Sequence, residues 1–227
     1  MTRTFKAMGA LLTYPTPELQ AAAEEIAAAI DGEQRLLKHA KSALHALIAE
    51  LSGGDLIDLQ ARYVALFDRG RATSLNLFEH VHGESRDRGP AMVDLMQVYA
   101  RAGFLLASNE LPDYLPVMLE FLSQRPFAEA GDMLSDCAHI VRRVGDTLRS
   151  RGSRYDAVPA ALLAMIGEDG LSAVAVKDPA RDTLAEDEKS LDADWMDMPV
   201  IFGPEGAPDC KPAPPAAAVI QFMPRQN

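Results

Sequence analysis

Two histidines and a dense set of charged side chains lie together in residues 67–89, between two stretches of helical character. Glu79 and His82 have the spacing that helical di-metal proteins use, because residues three apart share one helix face. Asp136 and His139 have a similar spacing and could supply a second pair of ligands. Carboxylate and imidazole groups suit iron, manganese or zinc. The pattern indicates one candidate function, a metal-dependent enzyme built on a helical carboxylate and histidine bundle.

The same segment also fits an architectural role. A di-metal bundle needs two Glu-x-x-His motifs and two further carboxylates, and only Glu79 and His82 form the full motif. His80 and His82 are two residues apart, so a helix would direct them to different faces. In the architectural interpretation, Ser85 or Asp87 caps the helix that follows, and the neighbouring charges form ion pairs. The spacing alone leaves both interpretations open.

Other catalytic classes lack their sequence signals. The chain has no Gly-x-Ser-x-Gly turn, no Walker loop and no Gly-x-Gly-x-x-Gly motif. Cys137 lies on an apolar helical face, which favours a core position over a nucleophile. Cys137 and Cys210 provide neither a disulfide framework nor a zinc-ligand set, as is typical of a reducing cytoplasm. We therefore expect a protein without catalysis and without a metal or cofactor of its own.

Composition narrows the class of protein further. The chain has 227 residues, 48% of them apolar, and a formal net charge of −11. This length is sufficient for a sizeable core. An acidic surface disfavours nucleic acid, because phosphate binding requires a basic face. No apolar run approaches the roughly 18–20 residues that span a bilayer, so we expect a cytoplasmic protein that is not an integral membrane protein.

Helical periodicity dominates residues 1–177. Thr16 and Pro17 provide a cap and a first-turn proline, and Asp55 has the character of an N-cap. Asp113 is predicted to open a later helix in the same way. The sequence therefore predicts an all-α fold, a single-domain bundle of about seven to nine helices.

The remaining residues, 178–227, have a different composition. They carry ten acidic and four basic side chains and hold eight of the fifteen prolines. Proline removes backbone donors, and closely spaced acids repel one another. We expect a mostly irregular, acidic, proline-rich tail, in which an apolar cluster from Trp195 to Phe202 could fold back onto the body.

Several literal runs in the chain resemble one known family. They include Phe67-Asp68-x-Gly70, the run Ser-Leu-Asn-Leu-Phe-Glu-His-Val-His-Gly-Glu-Ser-Arg-Asp-Arg-Gly over residues 74–89, and Ala-Met-Val-Asp-Leu over residues 91–95. These runs closely resemble the signature of the NarJ family, the assembly chaperones of respiratory nitrate reductase. A second block over residues 110–122 and the run at residues 12–15 extend the resemblance to about residues 8–125.

The second block also resembles the Glu-Pro-x-Asp-His motif of the wider TorD/DmsD family of redox-enzyme chaperones. Glu110 and Asp113 match the acidic positions of that motif. Leu111 stands in place of its proline, and Tyr114 stands in place of its histidine. This departure fits the nitrate reductase branch, and no role that depends on the histidine carries over to this chain.

The resemblance implies an all-helical chaperone that is absent from the finished enzyme. Its partner would be the newly made catalytic (alpha) subunit of nitrate reductase, recognised chiefly through an N-terminal segment that binds as a short helix. The chaperone would promote insertion of iron–sulfur clusters and of the molybdenum cofactor, and would delay docking on the membrane subunit. The machinery that inserts the molybdenum cofactor is a second candidate partner.

Recognition of a helix in a groove requires an apolar channel with polar groups at its rim. The candidate channel residues are Leu75, Leu77, Phe78, Tyr114, Met118 and Phe121. The acids that could bind client arginines at the rim are Glu79, Glu84, Asp87, Glu110 and Asp113. The candidate client-binding set is completed by His80, His82, Arg86 and Arg88. The two histidines either titrate near neutrality or stay neutral and hydrogen-bonded within the loop.

Overall fold

The computed structural model describes residues 3–83, 85–106 and 110–172. Within these ranges the chain forms eleven α-helices and no β-strand, which confirms the all-α fold. The helices are Arg3–Leu11 (α1), Pro17–Ala21 (α2), Ala23–Asp31 (α3), Lys38–Gly53 (α4), Leu56–Phe67 (α5), Leu77–His82 (α6), Arg88–Arg101 (α7), Leu115–Ser123 (α8), Phe127–Asp136 (α9), Ala138–Ser150 (α10) and Ala157–Met165 (α11). Two 3₁₀ turns, Arg71–Thr73 and Arg154–Asp156, complete the regular structure in these ranges.

The helices are shorter and more numerous than the seven to nine expected. The alanine-rich stretch before Ile30 is divided into α2 and α3 at Ala22, whose φ of −82° and ψ of 0° end the first helix. A second apolar stretch is divided into α9 and α10 at Cys137, where φ is −106° and ψ is 7°. In both cases the apolar face continues across the break, so periodicity alone shows one helix.

The core is built from large aliphatic side chains on α1, α4, α8, α10 and α11. α1 packs along α8, and Gly9 permits the close approach. A Cβ atom at Gly9 would lie 3.2 Å from the carbonyl oxygen of Pro116. Leu119 and Leu122 of α8 are completely buried in the same region. α8 is therefore the central element against which the neighbouring segments are placed.

Of the caps predicted at Thr16, Asp55 and Asp113, the first two are confirmed and the third is wrong. The Thr16 hydroxyl accepts a hydrogen bond from the Leu19 amide, and the Asp55 carboxylate accepts bonds from the Ile57 and Asp58 amides. Asp113 does not cap the helix that follows it, because α8 begins at Leu115 and Tyr114 holds the N-cap position. The Asp113 side chain turns instead toward a different helix.

Two further expectations concern membrane-spanning helices and the C-terminal tail. None of the helices in the described ranges is long and apolar enough to cross a membrane. The predicted acidic tail over residues 178–227 lies outside the described residues.

Replacing Asp55 with alanine is expected to lower the free energy of unfolding by about 1 kcal/mol, because the first turn of α5 loses its side-chain acceptor. Asp55→Asn is the control, since asparagine caps a helix about as well as aspartate. Urea unfolding followed by circular dichroism measures both variants. Equal losses in the two variants would show that the charge of Asp55, and not its capping bond, is what stabilises α5.

Candidate functional site

The two motif blocks of the sequence are joined by a short backbone pairing. The Leu77 amide donates to the Asp113 carbonyl at 3.1 Å, and the Leu115 amide donates to the Leu75 carbonyl at 2.8 Å. Asn76 and Tyr114 face each other between these bonds as an isolated antiparallel bridge. The pairing fixes the start of α6 against the start of α8. We call this arrangement of residues 75–77 and 113–115 the interlock.

The Asp113 carboxylate strengthens the interlock. Its Oδ2 atom accepts a hydrogen bond from the Phe78 amide at 2.9 Å, across 35 residues of chain. Together with the Asp113 carbonyl, it satisfies the first two amides of α6, which have no partner within their own helix. Asp113 is fully buried, and its Oδ1 atom has no hydrogen-bond partner among the described residues. Burial raises the pKa of Asp113, and the Phe78 amide and the positive charge of Arg88 oppose this shift.

An ion pair joins α6 to α7 beside the interlock. Arg88 Nη2 lies 3.1 Å from Glu79 Oε1, and both side chains are about one-quarter exposed, at 26%. The Nε atom of Arg88 is buried without an acceptor among the described residues. A polar cavity of about 530 Å³ adjoins the pair. The lining of the cavity consists of Phe67, Asp68, Gly70, Arg71, Ser74, Asn76, Glu79, Gly83 and Arg88.

The two histidines have different environments, as their spacing indicates. His80 Nε2 lies 2.8 Å from the Ser74 carbonyl oxygen, so this nitrogen must carry the proton and donate it. Burial lowers the pKa of His80, and the bond to Ser74 offsets this only in part. The His82 ring packs edge-on against Phe78, with ring centres 5.7 Å apart. His80 therefore has the neutral, hydrogen-bonded character of the architectural interpretation.

The residues proposed as metal ligands do not assemble. Glu79 forms an ion pair with Arg88, and the ring of His82 packs against Phe78. Asp136 ends α9, whereas His139 belongs to α10 on the other side of the break at Cys137. Within the described part of the chain, no group of three or more histidine, cysteine, aspartate or glutamate side chains could hold a metal ion.

Most of the predicted channel residues lie in the core. Leu75, Leu77, Met118 and Phe121 are buried, and none is more than 7% exposed. Phe78 and Tyr114 are half-buried, and the Tyr114 hydroxyl lies 3.2 Å from the hydroxyl of Tyr63. In this conformation these six side chains support the interlock and do not form an open apolar surface.

The polar candidates surround the interlock at different depths. Arg86, Asp87 and Glu110 are exposed, whereas Asp113 is fully buried. Asp87 holds the N-cap position of α7, as expected, but its side chain makes no capping bond. It is instead bonded to the Ser85 hydroxyl at 3.1 Å. Glu84 lies outside the described residues.

A larger groove escaped the sequence analysis. It has a volume of about 1,020 Å³ and lies between α1 and α3, near the start of α9. Its walls contain small side chains, among which are Ala7, Ala10, Ala22, Ala28 and Ala29. Alanine is also the residue most favourable to helices, so the sequence of α1 and α3 predicts two ordinary helices and no groove. In the sequence, the groove is indicated only by the recurrence of these alanines on one face of each helix.

Comparisons with known proteins identify the family to which the chain belongs. A family model described as "Nitrate reductase delta subunit" matches residues 16–155, a span that contains the whole interlock. The chain belongs to the nitrate reductase delta subunit family, and the match confirms the resemblance carried by the two motif blocks.

Three curated relatives show how far the similarity extends. The chain is 44% identical to the nitrate reductase molybdenum cofactor assembly chaperone NarJ of Escherichia coli (strain K12) over 193 residues, which cover 85% of this chain and 81% of that protein. It is 37% identical over 209 residues to the probable assembly chaperone NarW of the same strain, covering 92% and 87%. It is 31% identical over 169 residues to the probable chaperone NarJ of Bacillus subtilis (strain 168), covering 74% and 90%.

Asp113→Ala is expected to lower the free energy of unfolding by about 2 kcal/mol, because the Phe78 amide loses its acceptor. Asp113→Asn retains an acceptor oxygen and is expected to lose less. The raised pKa means that the folded protein binds the Asp113 proton more tightly than the unfolded chain does. The wild type should therefore gain stability relative to Asp113→Asn as the pH falls from neutrality toward the ordinary carboxyl pKa. Urea titrations at several pH values measure this difference, and parallel pH profiles would contradict it.

Proposed function

We propose that this protein is the system-specific assembly chaperone of a respiratory nitrate reductase. It binds the N-terminal segment of the cofactor-free catalytic subunit in the cytoplasm. It keeps that subunit competent for insertion of iron–sulfur clusters and the molybdenum cofactor, and it delays docking on the membrane subunit. The chaperone performs no catalysis and is not part of the mature enzyme.

The observation that carries this proposal is the 44% identity to a named nitrate reductase chaperone over 85% of the chain. The family match alone names a subunit type, whereas this relative is named for cofactor assembly. The geometry of the two motif blocks supports the same conclusion. The groups of the two blocks bind one another, as expected of a structural support and not of a set of catalytic groups.

The charge of the chain supports a basic client segment. A formal net charge of −11 attracts basic peptides and accelerates their encounter with the protein. Glu79, Asp87 and Glu110 lie around the interlock, where carboxylates could bind client arginines. Charge of this kind tunes the association rate and specificity, so the affinity must also come from apolar contacts.

Calorimetric titration of the chelator-treated chain with a peptide of the reductase N-terminal segment is expected to show binding at micromolar concentration or tighter. The matched control is the same peptide with its arginines replaced by alanine, which should bind more weakly because it loses charge-assisted bonds. Absence of binding to both peptides would contradict recognition of this segment. Binding that requires an added metal would favour the metal-dependent alternative.

Replacing Glu84 and Asp87 together with alanine is expected to weaken peptide binding by roughly tenfold, the effect of losing one or two charge-assisted bonds. Glu24→Ala with Asp58→Ala is the control, because it removes the same charge from exposed positions on α3 and α5. Helical content by circular dichroism should stay unchanged in both double variants. Equal weakening by the two pairs would assign the effect to net charge and would exclude a specific role for residues 84 and 87.

A further inference from the structure

α7 has an apolar stripe on each of two faces. Its inner stripe contains Leu95, which is half-buried against the core, and Tyr99, which is 2% exposed and the only buried residue of the helix. Its outer stripe contains Val93 and Met96, which are 54% and 50% exposed. A surface helix normally carries one apolar stripe. The outer stripe makes α7 unusual among the described helices, and the inner stripe buries little area.

Among the described residues, α7 is attached to its neighbours mainly at its two ends. At its start, Arg88 pairs with Glu79. At its end, the Tyr99 hydroxyl donates to the Pro112 carbonyl at 2.8 Å, and the rings of Tyr99 and Phe104 lie 4.6 and 5.3 Å from that of Phe121. Segments with few buried contacts open locally at a small cost in free energy.

The packing beneath the C-terminal half of α7 is incomplete. A cavity of about 430 Å³ lies between this half and the surface of α8 and α9. Val98 and Ala102 line one side of it and Phe121, Leu122 and Met133 line the other, with the charged side chains of Arg101, Arg125 and Glu129. Tyr99 of α7 packs on Phe121 of α8, and space remains beside this contact.

Glycines with positive φ flank α7 on both sides. Gly83 has a φ of 55° and a ψ of −123°, and Gly103 has a φ of 84°. Residues with side chains rarely adopt these conformations. A few residues at the ends of an element are sufficient to absorb the backbone change of a hinge motion. α7 is thus bounded by two positions at which it can rotate away from α8.

We propose that α7 covers the docking site of the client helix and is displaced by it. α7 rotates about Gly83 and Gly103, and the client helix then docks on Phe121 and the neighbouring apolar side chains of α8. The client helix takes the place of the inner stripe of α7. It should therefore be an amphipathic helix with aliphatic and aromatic residues at the spacing of Leu95 and Tyr99. This inference rests on the proposed function and specifies where the client segment binds.

The displacement explains two features of the candidate site together. Phe121 is a candidate channel residue, but Tyr99 of α7 packs against it and it is buried in the free protein. The outer stripe of α7, Val93 and Met96, is exposed. A helix that moves between two environments needs apolar side chains on more than one face.

Hydrogen exchange with and without the reductase N-terminal peptide tests the proposal on the full chain. Bound peptide is expected to accelerate amide exchange in α7 at least threefold and to slow it in α8. Slower exchange in α7 would mean that the peptide lies on the outer stripe, and would overturn the proposal. Slower exchange confined to α1 and α3 would place the peptide in the alanine-lined groove, with the same consequence. Calorimetric failure of the peptide to bind overturns the proposed function itself, so the two failures are distinguishable.

A matched pair of hydroxyl-deletion variants provides a second readout. Tyr99→Phe removes the hydrogen bond that holds α7 closed, so a larger fraction of the protein is competent to bind and peptide affinity should rise roughly fivefold. Thr147→Val is the control, because it also removes a buried hydroxyl that donates to a backbone carbonyl, that of Arg143 at 2.9 Å, but lies on α10. Thr147→Val should leave the affinity unchanged. Affinity that Tyr99→Phe lowers or leaves unchanged would overturn the proposal.

Discussion

The interlock between residues 75–77 and 113–115 is the constraint on which the rest of the site depends. Two backbone hydrogen bonds and one carboxylate bond join segments that are 35 to 40 residues apart in the sequence. Closing a loop of this length costs conformational entropy, and the cost grows only slowly with length. Once the loop is closed, α6 begins at a fixed position, Arg88 meets Glu79, and α7 is held over α8.

The interlock places a carboxylate where carboxylates are costly. Asp113 is fully buried, and within the described part of the chain only one of its two carboxylate oxygens accepts a hydrogen bond. A buried polar network has little tolerance for a lost partner, because each orphaned group retains its desolvation penalty. The same property makes the network specific, since alternative placements of α6 would leave the Phe78 amide and the carboxylate unpaired. The interlock therefore lowers stability but fixes one defined arrangement of α6 against α8.

Local features of the chain were predictable from its sequence, and contacts over long distances were not. Thr16 and Asp55 cap their helices because the donors lie within three residues of the acceptor. Asp113 has the same local appearance, but its strongest available donor is the Phe78 amide in a distant segment. The resemblance identified both motif blocks, yet could not show that the apolar residues of one support the polar residues of the other. The α1–α3 groove was missed because alanine satisfies a helix and a cavity wall equally well.

In the proposed function, the interlock builds the surface that holds the client. Co-purification of the cofactor-free catalytic subunit with the wild type, Asp113→Asn and Asp113→Ala tests this claim most directly. The experiment is performed at a temperature at which all three proteins keep full helical content. The wild type and Asp113→Asn are expected to retain the subunit, and Asp113→Ala is expected to retain less than one-tenth as much. A folded Asp113→Ala protein that retains the subunit as well as the wild type would contradict this role of the interlock.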